Sequence, residues 1–256
     1  LSRRGRSVEH SIQLLILFLL TAAAMPTCIA EDAQAKIWIG STTGLHTVDD
    51  GLMQPVWVAD DPGDRAIRSL YHDGISQMWV GTDEGLRRFD GSVFTMLTAE
   101  QLSTDETTAV VEDGAGTIWV GTRNGLRAVR GNQVEHIELG DDGSSPRVER
   151  LFVADNDEVW IGTEGGLIRR SGSVRKRYDK RMLLGQSDSL VQRQPKTRST
   201  LVDSSFVRSF MQDRRGVIWV ATAEGLLQYD DGVFRAFSTR DGLPSDELQT
   251  VIEDGQ

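Results

Sequence analysis

The sequence predicts an all-β protein built from four-stranded blades, which is the architecture of a β-propeller. Three observations predict it: a motif that returns about every forty residues, a tryptophan at the same place in each copy, and a Gly-Leu pair shortly afterwards. A fixed period of this length is typical of propellers, in which each unit buries its apolar faces against its neighbours. The 256 residues hold about five such units.

The central element of each copy is a short apolar strand. Five segments share the order apolar residue, tryptophan, apolar residue, small residue, serine or threonine, and consecutive apolar and β-branched residues predict a strand that is buried on both faces. We interpret the tryptophans as packing between blades rather than as a ligand cage, because large aromatic rings dominate core energetics. These tryptophans are Trp38, Trp79, Trp119, Trp160 and Trp219.

Two kinds of glycine accompany this strand. The first follows the motif and predicts a tight hairpin, because such a turn needs a positive φ that glycine adopts readily. These glycines are Gly44, Gly85, Gly125, Gly166 and Gly225. The second, as in Gly121, lies two residues after the tryptophan and therefore on the same face of the strand. We expect the second glycine to leave room for the indole of a neighbouring blade.

The remaining parts of each copy complete a four-stranded unit. An Asp-Gly turn precedes the tryptophan strand, as at Asp113-Gly114, and a short apolar stretch closes the copy. The predicted repeats cover about 36–60, 61–99, 100–140, 141–200 and 201–240 of a propeller domain at 31–256, with the start of another copy at 241–256. This arrangement predicts a truncated part of a larger propeller. The alternative is that the last segment supplies the opening strand that the first copy lacks, which would close a ring of five blades.

The first thirty residues have the composition of a secretory signal peptide. Basic residues precede an apolar run from Ile12 to Ala24, and Cys28 and Ala30 are small residues at the −3 and −1 positions of a cleavage site before Glu31. The predicted location is therefore periplasmic. A twin-arginine signal, lipoprotein processing at Cys28 and an uncleaved membrane anchor are the alternatives that stay open.

Taken together, the motif resembles the two-component regulator propeller repeat. The resemblance rests on the run Asp-x-x-Gly-x-Ile-Trp-Val-Gly-Thr-x-x-Gly-Leu around Trp119 and on Asp-Gly-Leu-Pro-Ser at 241–245, and it covers residues 36–256. It implies a non-enzymatic periplasmic sensor that passes ligand occupancy to a downstream effector, a histidine kinase or a diguanylate cyclase. An exported propeller enzyme of the lyase or dehydrogenase type and a protein-interaction scaffold remain the alternatives, because a fold alone does not fix a function.

Composition excludes several other classes. The single cysteine, Cys28, excludes a disulfide framework and a cysteine-based zinc site. An excess of acidic over basic residues, 38 against 28, argues against nucleic acid as a partner. His46, His72 and His136 occupy different positions in their repeats, so we expect neither a metal site nor a cofactor.

One stretch breaks the acidic pattern and is the candidate ligand site. Residues 169–198 contain ten basic and two acidic side chains and overlap the extra length before the fifth tryptophan, which predicts an inserted loop near 175–200. Such a loop suits an anionic small molecule or oligosaccharide, and a solvated loop without a ligand is the alternative. The candidate binding residues are Arg175, Lys176, Arg177, Lys180 and Arg181.

Overall fold

The computed structural model of the protein contains five antiparallel sheets of four strands each. The structure describes residues 25–49, 52–56, 66–97, 105–140, 143, 145–179, 183 and 206–254. The predicted all-β class and four-stranded blades are confirmed, and the sheets match the five copies of the motif. Over these ranges, no helix has both the length and the apolar character that a bilayer crossing requires.

Each sheet is a meander in which consecutive strands are neighbours. The first sheet contains β1 (Pro26–Glu31), β2 (Ile37–Ser41), β3 (Gly44–Asp49) and β4 (Leu52–Pro55). The second contains β5 (Ile67–His72), β6 (Met78–Thr82), β7 (Gly85–Phe89) and β8 (Phe94–Met96). The third contains β9 (Thr107–Glu112), β10 (Ile118–Thr122), β11 (Gly125–Arg130) and β12 (Gln133–Ile137). The fourth contains β13 (Val148–Val153), β14 (Val159–Thr163), β15 (Gly166–Ser171) and β16 (Val174–Asp179). The fifth contains β17 (Val207–Gln212), β18 (Ile218–Thr222), β19 (Gly225–Asp230) and β20 (Val233–Phe237), followed by a 3₁₀ turn at Thr239–Asp241.

The tryptophan strand is the second strand of every sheet, so it has a hydrogen-bonded neighbour on each side. In the fourth sheet, Trp160 lies opposite Phe152 of β13 and Arg169 of β15. All five residues of β6, β10 and β14 are buried, which explains why the motif is apolar without alternation.

The hairpin after each tryptophan strand is held by a hydroxyl group. Thr122 Oγ1 donates a hydrogen bond to the carbonyl oxygen of Gly125 at 3.0 Å and accepts one from the Asn124 N–H at 3.2 Å. Ser41, Thr82, Thr163 and Thr222 donate in the same way to the glycine three residues later. The five glycines have φ angles from 106° to 138°, a region in which a side chain would be strained.

The second glycine of the motif receives a β-branched side chain, not an indole. A methyl group built on Gly40 would lie 2.6 Å from Ile67 Cγ2, and one on Gly162 would lie 2.7 Å from Val207 Cβ. Gly81 has the same relation to Thr107 Cγ2, at 2.7 Å. Each partner is the first residue of the next sheet's opening strand, and in β5 and β17 a bulge follows it directly. At these three glycines the expectation of an indole was wrong, and a bulge next to the contact re-aims the adjoining side chains. For Gly121 it stays a prediction.

The first sheet has an opening strand that the repeat pattern left out of the first copy. Cys28 lies opposite Gly40 and Ala30 opposite Trp38, so β1 supplies the missing strand from residues assigned to the signal peptide. Residues 1–24 lie outside the described residues. The signal peptide and the domain boundaries remain predictions.

The chain divides into two compact units. The first comprises residues 1–110 and 128–136, and its core contains Trp38, Leu45, Ile67, Met78 and Val80. The second comprises residues 111–127 and 137–256. Its core includes an aromatic group from the fourth and fifth sheets, Trp160, Tyr178, Tyr229 and Phe234, together with Phe206 just before β17.

Candidate functional site

An aspartate six residues before the tryptophan organises the turn that leads into the second strand. In the fifth sheet, Asp213 Oδ1 accepts hydrogen bonds from the N–H groups of Arg215 at 2.9 Å and Val217 at 3.0 Å. Its other carboxylate oxygen accepts one from Trp219 Nε1 at 3.1 Å. We call this arrangement the Asp–Trp clamp, and it recurs at Asp32–Trp38 and Asp113–Trp119, each at 2.8 Å.

The clamp shifts the acidity of its aspartate. Burial alone would raise the pKa of Asp213, but hydrogen bonds from Trp219, Arg215 and the backbone lower it to about 2. Donors to a carboxylate favour its charged form, which explains the direction. Asp73 and Asp113, which begin Asp-Gly turns, accept hydrogen bonds from backbone N–H groups of their own turns in the same way, as the turn interpretation predicts. Within the described ranges, no three His, Cys, Asp or Glu side chains are grouped closely enough to hold a metal ion.

Two sheets depart from this pattern. In the second, Asp73 keeps its position but Trp79 Nε1 has no hydrogen-bond partner among the described residues. In the fourth, Ala154 occupies the position of the aspartate. Trp160 is fully buried, and its Nε1 has no hydrogen-bond partner among the described residues. Packing holds the ring instead, since the Tyr229 ring lies edge-on to it with centroids 4.8 Å apart. Comparing the copies of the motif would have found this site, because Ala154 is the one residue of the five that is not aspartate at this position.

A polar cleft of about 240 Å³ opens beside Ala154, between the turns of the fourth and fifth sheets. Arg169 is its main cation: Nη1 donates a hydrogen bond to Tyr229 Oη, and Nε lies 3.7 Å from Glu158 Oε1. Gln212 Oε1 accepts a hydrogen bond from the Asp155 N–H at 2.8 Å, which ties the two turns together. The lining includes the uncharged residues Ala154, Asn156, Gln212 and Tyr229, the cation Arg169, and two carboxylates, Glu158 and Asp231.

The predicted basic loop begins with a strand. Arg175, Lys176 and Arg177 lie on β16, the outer strand of the fourth sheet, so their assignment to a loop was wrong. Outer strands tolerate charged side chains because one edge faces solvent, which is why composition misled the prediction. Lys180 and Arg181 lie outside the described residues. The role of all five side chains in binding a ligand remains a prediction.

Strands β15 and β16 together form what we call the basic edge: Arg169, Arg170, Arg175, Lys176 and Arg177. Arg170 lies directly opposite Arg175 and Arg169 opposite Lys176, so two like-charged pairs face each other across the strands. Such pairs are destabilising unless an anion or solvent offsets them.

Aromatic rings and backbone carbonyls hold several of these cations in place. Arg170 lies 4.8 Å over the Trp119 ring and Lys176 lies 5.1 Å over the Tyr178 ring. Arg175 Nη1 donates to the carbonyl oxygen of Glu138 at 2.5 Å. The edge therefore presents cations that are already positioned, and Arg169 joins the edge to the polar cleft.

Two segments of the chain, residues 101–124 and 201–224, match the family model described as two component regulator propeller. This match confirms the resemblance carried by the sequence motif. No curated protein gives a significant match.

Solved structures share the fold. The extracellular domain assigned to a hybrid two component system of B. thetaiotaomicron aligns with a TM-score of 0.65 and 21% identity, over 84% of this chain and 27% of that one. A second such domain from B. thetaiotaomicron aligns with a TM-score of 0.69 and 16% identity, over 90% and 31%. A catalytically inactive virginiamycin B lyase from Staphylococcus aureus, solved with quinupristin, aligns with a TM-score of 0.64 and 12% identity, over 90% and 73%. The chain thus spans less than a third of the length of the two extracellular domains.

Proposed function

We propose, from the two component regulator propeller repeats at 101–124 and 201–224, that the chain is a ligand-binding sensor domain outside the cytoplasm. The repeats are the observation that carries the proposal. The extracellular domains with the same fold support the location. In this proposal, ligand occupancy is passed to an effector of the histidine kinase or diguanylate cyclase type.

The proposed ligand is an anionic small molecule or oligosaccharide whose charged groups bind at the basic edge and whose hydroxyl groups enter the polar cleft. Carboxylate groups accept strong hydrogen bonds from guanidinium and ammonium groups. At the cleft they would offset the facing pair Arg169–Lys176, which shares a sheet face with Tyr178, whereas Arg170 and Arg175 point to the opposite face. The cleft adds the Tyr229 ring and the amide groups of Asn156 and Gln212, which can orient hydroxyl groups.

We propose binding rather than catalysis as the role of this domain. The lyase shares the fold at 12% identity, and a shared fold does not carry an activity with it. Consumption of a ligand would indicate an enzyme. Capture of an effector without any ligand response would indicate a scaffold.

The test is a thermal-shift and titration experiment with a charged and a neutral oligosaccharide of the same length, trigalacturonic acid and galactotriose. We expect the acidic trimer alone to raise Tm, because a ligand that binds only the folded state stabilises it by about 2.7 kcal/mol at a hundredfold excess over Kd. Affinity should fall as salt rises, since exposed charges are screened.

A triple variant locates the site. Arg175→Gln, Lys176→Gln and Arg177→Gln together should weaken binding about tenfold or more and flatten its salt dependence. The matched control is Arg235→Gln, an exposed arginine on the outer strand β20, which should leave both unchanged. Unchanged affinity in the triple variant would remove the basic edge from the proposal, and equal shifts with both trimers would remove charge recognition.

A further inference from the structure

Strand β1 is built like the opening strands of the other sheets. Pro26 lies opposite Ser41, a bulge follows, and then Cys28 lies opposite Gly40 and Ala30 opposite Trp38. The fifth sheet repeats this register at the same positions, with Val207 opposite Thr222, a bulge, Ser209 opposite Ala221 and Met211 opposite Trp219. Asp32, which follows β1, forms an Asp–Trp clamp with Trp38. Residues 26–31 therefore form a regular part of the first repeat.

The side chains of β1 are fitted to their neighbours. A methyl group on Gly40 would lie 2.5 Å from Cys28 Sγ, so the thiol fills the space above that glycine, and burial raises the pKa of Cys28 to about 11. Thr27 Oγ1 donates a hydrogen bond to the Ile67 carbonyl oxygen. Just before the strand, the Met25 N–H donates to Thr42 Oγ1 at 3.1 Å, and the Thr42 N–H donates to the Met25 carbonyl oxygen at 3.0 Å.

These contacts conflict with two of the processing routes. Cleavage after Ala30 would remove five of the six residues of β1 and leave the buried tryptophan strand β2 as an unpaired edge, with its N–H and C=O groups unsatisfied on that side. Lipid attachment at Cys28 would place a thioether on a sulfur that faces Gly40 and the Ile67 side chain.

The sequence contains another possible cleavage site, directly before Met25. Ala22-Ala23-Ala24 places alanine at the −3 and −1 positions of a bond before Met25, which is the small-residue pattern of leader cleavage sites. We propose that a leader peptidase hydrolyses the Ala24–Met25 bond, so that the exported protein begins at Met25 and retains β1. One water is consumed, and the products are a carboxyl group on Ala24 and an amino group on Met25. The proposal rests on the export included in the proposed function.

The experiment identifies the first residue of the exported protein. The chain, with an initiating methionine before Leu1 and a C-terminal tag, is produced in a Gram-negative host and recovered from the periplasm for N-terminal sequencing and intact mass. We expect Met25-Pro26-Thr27 at the N-terminus and one thiol per chain after unfolding. Ala24→Val should block processing, and the matched Ala30→Val should not, because a β-branched residue fits poorly at the −1 position of the scissile bond only.

Other N-termini would overturn the proposal. A chain that begins at Glu31 has no thiol, and a chain lipidated at Cys28 carries the mass of its acyl groups and sediments with membranes. A chain that keeps its leader in the cytoplasm would refute export itself. Independently of export, leaderless proteins that start at Met25 and at Glu31 are compared by urea unfolding. We expect a lower midpoint for the shorter protein, and equal midpoints would show that β1 is dispensable.

Discussion

The fourth and fifth repeats hold equivalent tryptophans in different ways. In the fifth, Trp219 is half-buried, stacks on Phe237 with centroids 6.0 Å apart, and donates to Asp213. In the fourth, Trp160 is completely buried among aromatic rings and Ala154 replaces the aspartate. The repeat thus accepts either a hydrogen bond or tight packing as the means of fixing the indole.

This difference leaves the fourth repeat with a polar group that packing cannot satisfy. A buried N–H without a partner costs about 1–3 kcal/mol, and close aromatic pairs return about 0.5–1.5 kcal/mol each. The place where the carboxylate is missing is also the place where the polar cleft opens. A local loss of stability and a candidate binding site therefore coincide at Ala154.

The strongest test of the comparison removes the two rings. Trp160→Ala should destabilise the protein by about 3–5 kcal/mol, as expected for a fully buried aromatic residue. Trp219→Ala should cost less, because that ring is only half-buried. Urea unfolding of both variants measures the difference, and equal losses would show that packing does not distinguish the two sites.

The residue two positions after the tryptophan also differs between these repeats: it is Gly162 in the fourth and Ala221 in the fifth. Gly162→Ala should cost about 1–3 kcal/mol by overpacking, since the new methyl group would lie 2.7 Å from Val207 Cβ. The matched change in the fifth repeat, Ala221→Gly, should cost about 0.5–1 kcal/mol through backbone entropy. Thermal unfolding of the two variants gives the order, and the reverse order would contradict the packing of Val207 against Gly162.

The Asp–Trp clamp of the fifth repeat can be weakened without changing the size of the side chain. Asp213→Asn should cost about 1–2 kcal/mol near neutral pH, because the amide cannot accept every hydrogen bond that the carboxylate accepts. The folded pKa of about 2 lies below the ordinary value of 3.8, so this stabilisation is present above pH 4 or so and is lost as pH falls through about 2. The stability gap between the two proteins should therefore close in acid, and a constant gap from pH 7 to pH 2 would argue against the charge.

The smallest expected effect is a gain. Ala154→Asp should give the Trp160 N–H an acceptor and stabilise the fourth repeat by about 0.5–1.5 kcal/mol above pH 4. It should also partly fill the polar cleft and weaken binding of an anionic ligand there. Urea midpoints of the variant and of Ala154→Asn, which adds similar volume without charge, separate the two contributions.

Much of the fold was predictable because most residues of the motif determine the local backbone conformation. Trp119, Thr122 and Gly125 each specify a strand or a turn without help from the rest of the chain. Strand β1 was missed because its small and apolar residues, such as Cys28 and Ala30, also suit the end of a signal peptide. The charged strand β16 was missed because a run of basic residues is typical of a solvated loop.

The candidate site was less predictable, since it depends on how separate turns approach each other. Arg169 and Gln212 are 43 residues apart and line one cleft, and neither belongs to a recognisable binding motif. Only the Ala154 substitution gave a signal in the sequence. The basic edge was visible as composition, but the pairing of Arg170 with Arg175 appears only with the strand register.

The contact between a motif glycine and the next opening strand has a consequence for how such arrays grow. At Gly40, Gly81 and Gly162 a repeat supplies a recess at its second strand, and the β-branched residue that begins the next repeat fits that recess. A copy inserted in frame brings both the glycine and the β-branched residue with it. New units can then be gained or lost by duplication without compensating changes in the units on either side.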